Sequence, residues 1–231
     1  MSAKSANPVA VEGEFDSFKL PDFASKDAAG PMIVAIEGPN GAGKTTLSWA
    51  LSRKLGMPWA LGTDETWFAE PLKVRMIRDA DWWASGMFFL SGCFEQMRLL
   101  RKRSDRVIIM DRCLWSTLAV QAAENTQRLD ALIEMTRPVA QHIRIPQITL
   151  VLEASFSTCQ ERISNKTGTA RALDQLTANA QFHAREREFY KWLARQTPTV
   201  CFLDTDHSNA DEVVAKALAA LKPKLAGICD I

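Results

Sequence analysis

Eight consecutive residues, Gly38-Pro39-Asn40-Gly41-Ala42-Gly43-Lys44-Thr45, fit the pattern G-x-x-x-x-G-K-[ST] at every fixed position. Glycines at that spacing let successive backbone N–H groups curl around a phosphate without Cβ clashes. Lys44 is spaced to bridge the β- and γ-phosphates of a nucleoside triphosphate, and the Thr45 hydroxyl to ligate Mg²⁺. Thr46 completes the set of residues expected to touch ATP. A second chemical pair, Asp111-Arg112, closes the apolar run Val107-Ile108-Ile109-Met110. Its carboxylate suits Mg²⁺ or a proton, and its guanidinium suits a phosphate gripped through two N–H groups.

Both constellations need elements that hold them at one edge of a sheet. Met32-Ile33-Val34-Ala35-Ile36 is wholly apolar and runs into the glycine-rich turn, as a strand covered on both faces does. After the turn, Leu47, Ala50, Leu51 and Leu55 repeat at helical spacing until Gly56. Residues 107–110, 148–152 and 199–203 read as further buried strands, and Pro58-Trp59-Ala60-Leu61 as a weaker one. Helix-length segments lie between them at about 82–103, 114–142 with a break, 155–165, 173–195 and 209–222. Strands alternating with helices require parallel pairing with right-handed crossovers. The expected fold is therefore α/β, a three-layer sandwich around one parallel five-stranded sheet. In such a sheet ligands bind at the carboxyl ends of the strands, where both Gly38 and Asp111 fall.

Composition narrows the partners. The chain has 231 residues with 28 Lys+Arg against 27 Asp+Glu, so no global field favours nucleic acid, and an anionic ligand must be held by local cations. No stretch of 18 apolar residues is present and the first 31 residues lack the apolar centre of a signal peptide, which reads as a cytoplasmic chain with no membrane contact. Five scattered cysteines give no disulfide framework, and three histidines give no zinc pattern. Residues 1–31 read as an extension, either flexible or docked on the surface through Phe15, Phe18 and Phe23. Residues 32–231 read as the domain that carries the phosphate-binding loop.

Taken together, Ile36-Glu37-Gly38 leading into Gly43-Lys44-Thr45-Thr46, then Glu70-Pro71, then Asp111-Arg112 followed by Ser116-Thr117-Leu118-Ala119-Val120-Gln121, resemble the thymidylate kinase family from about Met32 to Leu221. The deoxynucleoside kinase family is similar too. It shares the Ile-Glu-Gly and Glu-Pro signatures, and Ser157-Thr158-Cys159-Gln160-Glu161-Arg162 looks like its helix before the lid, although it usually carries Glu-Arg where this chain has Asp-Arg. The resemblance implies Mg²⁺-assisted phosphoryl transfer from ATP to a small nucleotide or nucleoside, and a homodimer through the long apolar helices. Carried over by position, Lys44, Asp111, Arg112, Arg162 and Arg171 act on the transferring group, with a lid at about 162–173. Thr45 and Asp111 hold the metal, while Glu70, Arg75, Phe94, Gln96, Arg112, Thr117 and Gln121 face the acceptor.

The acceptor half departs from the thymidylate kinase pattern. Asn40 replaces the usual acidic residue of the loop, Leu90 a base-contacting Phe, Phe94 an Arg, and Val120 a Tyr. The expected enzyme is a nucleoside monophosphate kinase not restricted to dTMP. A nucleoside 5′-kinase with Glu70 or Asp111 as base, a P-loop kinase of another small molecule, and a triphosphate-binding pseudokinase stay open beside it.

Overall fold

The apolar runs become one parallel sheet in the computed structural model, which describes residues 12–23, 30–63, 70–168, 174 and 179–228. Strands β1 (Met32–Glu37), β2 (Trp59–Leu61), β3 (Val107–Asp111), β4 (Ile148–Glu153) and β5 (Val200–Asp204) lie in the order β2-β3-β1-β4-β5. The helices are α1 (Lys44–Leu55), α2 (Glu70–Arg78), α3 (Trp82–Leu100), α4 (Leu114–Glu124), α5 (Thr126–Thr136), α6 (Phe156–Ser164), α7 (Ala180–Gln196) and α8 (Ala210–Leu225). The three-layer α/β sandwich expected from the sequence is the fold observed.

Alternation along the central strand builds the two outer layers. Ile33 and Ala35 face one core with Ile108 and Met110, against residues of α3, α4, α5 and α7. Val34 and Ile36 face the other with Ile109 and Leu150, against α1 and α8. Register does the functional work, since Ile36 pairs with Asp111 and so brings the glycine-rich turn level with the Asp-Arg pair.

Short polar signals set the helix ends. Gly56 stops α1 in a left-handed conformation, its N–H donating to the Ser52 carbonyl. Asn125 breaks the 114–142 segment, because its side chain accepts from the Gln127 N–H and caps α5 while α4 ends. A 3₁₀ turn containing Pro138 then closes α5 at residues 137–142. Asn179 caps α7, so that helix starts at Ala180 instead of residue 173. Helix α2 was not foreseen, and residues 64–69, which include Trp67 and Phe68, lie outside the described residues.

Residues 12–23 pack on the first core. Phe15 is 1% exposed among Phe189 and Trp192, with ring centroids 6.1 and 6.4 Å away. Phe23 meets Trp115 edge-on at 5.8 Å.

Candidate active site

The phosphate-binding loop is shaped by backbone that only glycine supplies. Gly38 has φ 126°, and a Cβ there would lie 2.4 Å from the Leu152 carbonyl oxygen. At Gly41, φ is 87° and a Cβ would lie 2.5 Å from the Cys159 carbonyl oxygen. The loop is thus wedged between β4 and α6, and the Ala42 N–H donates to the Pro39 carbonyl. Arg162, expected as a lid cation, ties this wedge together. It donates to the Ala42 carbonyl (3.3 Å) and to Thr205 through both Oγ1 (3.2 Å) and the carbonyl (2.7 Å).

Lys44 begins α1 and is buried, with Nζ donating to the Gly38 (2.7 Å) and Pro39 (2.6 Å) carbonyls. Burial lowers its pKa to about 8, Arg112 pushes the same way, and Glu186, Asp111 and Glu37 oppose both. As pH rises through about 8 the free protein therefore loses the charge that a triphosphate needs. Nucleotide affinity should fall by up to tenfold per pH unit above that point, measured by titration from pH 7 to 10. The fold itself should gain stability from about 8 toward 10.5, because there the unfolded chain holds the Lys44 proton more tightly.

Across from the loop, Thr45 Oγ1 donates to Asp111 Oδ2 at 2.6 Å, and the buried Asp111 Oδ1 has no partner among the described residues. A hydroxyl beside a carboxylate with a spare oxygen is a hard-oxygen donor pair that fits Mg²⁺. Arg112 follows with φ 71°, a strained value for a side-chain-bearing residue. That turn sends its guanidinium to Asn40 Oδ1 (2.5 Å) and Ser116 Oγ (3.3 Å), joining the loop to α4.

Beneath these groups lies a buried carboxyl that motif reading did not single out as part of the site. Glu37 accepts from the Cys113 N–H (2.7 Å), the Cys113 thiol (3.0 Å), the Tyr190 hydroxyl (2.9 Å) and Ser116 Oγ. Burial and the neighbouring Glu37 hold both the Cys113 thiol and the Tyr190 phenol well above their ordinary pKa values. Glu186 on α7 is 4% exposed and lines a small cavity with Pro39, Asn40, Cys159 and Phe182. Burial raises its pKa, against the pull of Lys44 and Arg112. A charged residue closing an apolar strand was the available signal for Glu37. Glu186 and Tyr190 sit on a helix about 150 residues away in the chain and carry no local signal.

The expected acceptor residues divide. Thr117 and Gln121 are buried on α4, the latter with Oε1 unpartnered among the described residues, and Gln96 is buried on α3. Phe94 is half-buried against the first core, and Leu90 belongs to that core outright. Arg75 is exposed on α2, and Arg78 pairs with Asp79 at 2.8 Å. Lys166 pairs with Asp174 at 2.6 Å. Glu70 opens α2, and Arg171 lies outside the described residues. Trp115 is fully buried.

Comparison with known proteins bears on the family and the fold. A sequence model of deoxynucleoside kinases matches residues 34–222. The fold is similar to that of thymidylate kinase from Candida albicans, with TM-score 0.67 and 19% identity over 84% of this chain and 92% of that one. Deoxyadenosine kinase from M. mycoides, solved with bound dATP, gives TM-score 0.64 and 20% identity over 82% of this chain and 98% of that one. With bound dCTP the same enzyme gives 0.61 and 19% over 83% and 100%. No curated protein sequence matches significantly. Among the described residues no helix is long and apolar enough to cross a membrane.

Proposed function

Because the chain belongs to the deoxynucleoside kinase family, we propose that it transfers the γ-phosphoryl group of ATP to the 5′-hydroxyl of a nucleoside. The observation that carries this choice of acceptor is the charge balance around the loop. Three buried carboxyl side chains, Glu37, Asp111 and Glu186, surround two cations, Lys44 and Arg112. Both cations are needed by the donor phosphates and the transferring group. Arg162 is held by the loop and Thr205, and Arg75 and Arg78 lie exposed on α2. Among the described residues Lys44 and Arg112 are the cations set among these carboxyl groups, so an acceptor monophosphate would bring further negative charge there, whereas a neutral nucleoside brings none.

In this reading Lys44 follows the charge that spreads over the β- and γ-phosphates, and the loop N–H groups orient them. Thr45 and Asp111 would hold Mg²⁺, which supplies further neutralisation of the phosphate oxygens. Arg112, fixed by Asn40 and Ser116, grips the transferring group. Glu70 takes the proton of the 5′-hydroxyl as the O5′–P bond forms and the bond from P to the β,γ-bridging oxygen breaks, releasing ADP. Asp111 is the poorer base because, with Thr45, it is the carboxylate placed to hold Mg²⁺.

The test is ATP consumption over the four common deoxynucleosides, their ribose counterparts and all the corresponding 5′-monophosphates. At least one nucleoside should be turned over about 100-fold faster than its monophosphate, since an unpaired buried charge costs several kcal/mol. Turnover of monophosphates alone would move the acceptor to the nucleotide class.

A further inference from the structure

We infer that residues 12–23 form a positioning brace for the phosphate-binding site, with Phe15 as its anchor. The segment touches the two helices that carry the buried polar side chains of the site. Phe15 fills a gap beside Phe189 and Trp192 on α7, and Phe23 packs on Trp115 of α4. Glu14 forms a two-pronged pair with Arg185 on α7, at 2.6 and 3.3 Å, that is mostly out of solvent. The same guanidinium donates to the Ala123 (3.1 Å) and Glu124 (3.0 Å) carbonyls at the end of α4. Asp16 adds a pair with Arg195 at 2.5 Å, one helix turn past Trp192. The brace thus clamps α4 to α7 from outside.

The other side of that clamp is the site. Residues 186 and 190 each follow a braced residue, 185 and 189, by one position and so lie about 100° around the same helix. Tyr190 donates to Glu37, which also accepts from Cys113 and Ser116 at the start of α4. Glu186 stands beside the Lys44 and Arg112 side chains. A shift of α7 against α4 must therefore disturb the Glu37 hydrogen bonds and the seat of the loop. An aromatic plug in a close-packed gap resists such a shift, because the gap has no other filling. Phe15 touches no reacting atom, so its contribution is positional.

The experiment uses the full chain and does not depend on which acceptor is phosphorylated. Phe15→Ala and Phe15→Leu are compared with the unaltered protein for the Kd of a non-hydrolysable ATP analogue with Mg²⁺, and for amide hydrogen exchange. In Phe15→Ala the Kd should rise about tenfold, within the range of residue-mediated coupling. Exchange should quicken at residues 113–121 and 186–193 while β5 and α8 keep their protection. Phe15→Leu, which refills most of the gap, should recover most of the affinity. An unchanged Kd overturns the proposal, and so does exchange that rises evenly over all five strands, the mark of a merely destabilised fold. If Phe15→Ala does not fold, Glu14→Gln carries the test. It should raise the Kd about threefold with Tm nearly unchanged, and no change in Kd overturns the brace.

Discussion

Lys44→Ala should abolish phosphoryl transfer, lowering kcat by about 10³-fold or more, while the protein stays folded. The magnitude follows from where the ammonium group sits. It is buried at the first turn of α1 and held to two carbonyls of the glycine-rich loop proposed to cradle the phosphates. In a site of low polarity a positive group that meets developing charge is worth far more than in water. Stability should change little, because burying this charge already costs the free protein something, as its pKa of about 8 records. The check is single-turnover kinetics beside a thermal melt. Lys44→Ala turning over at the unaltered rate would remove the loop from the chemistry altogether.

Glu37→Ala should give the largest loss of stability of any single change in the site, about 3–5 kcal/mol. The substitution orphans the Cys113 N–H and the Ser116 and Tyr190 hydroxyls at once, all in a region closed to water. For a chain of this length the loss corresponds to a fall in Tm on the order of 10 °C. Tyr190→Phe removes one of those donors and leaves the acceptor satisfied by the others, so it should cost about 1 kcal/mol. Urea unfolding of the two variants checks the contrast. Equal losses would mean that the Tyr190 bond alone accounts for the network. A loss below 1 kcal/mol for Glu37→Ala would mean that water replaces it freely.

The donor half of this site was legible because its chemistry is local. A glycine-rich turn, a lysine and a threonine are contiguous, and the apolar strands on either side of them have no reading other than buried parallel sheet. Asp111 and Arg112 were legible for the same reason, as charged residues ending a run that the sheet must cover. What lay hidden was contact between distant segments. Tyr190 reaches Glu37 across 153 positions, and no spacing rule links them. Arg162 carries a lid-like motif, but its contacts with Ala42 and Thr205 join segments 120 and 43 positions away that the motif does not link. Phe94 is expected to face the acceptor, and helix α3 packs it partly against the first core. Helix α2 escaped notice because Pro71, Lys73, Arg75 and Arg78 leave too few apolar positions to show a helical stripe. The polar composition of the N-terminal segment leaves a flexible tail and a docked extension both open to sequence reading, whereas in the structure Phe15 is buried in the first core and Phe23 packs on it.

The most direct test of the central claim is to follow the terminal phosphate of ATP itself. The protein is incubated with γ-labelled ATP, Mg²⁺ and a mixture of unphosphorylated nucleosides, and the labelled products are separated and their masses measured. The account predicts label in a nucleoside 5′-monophosphate, with none formed by Lys44→Ala. Label that appears only in inorganic phosphate, or only in a diphosphate when monophosphates are added, would contradict it.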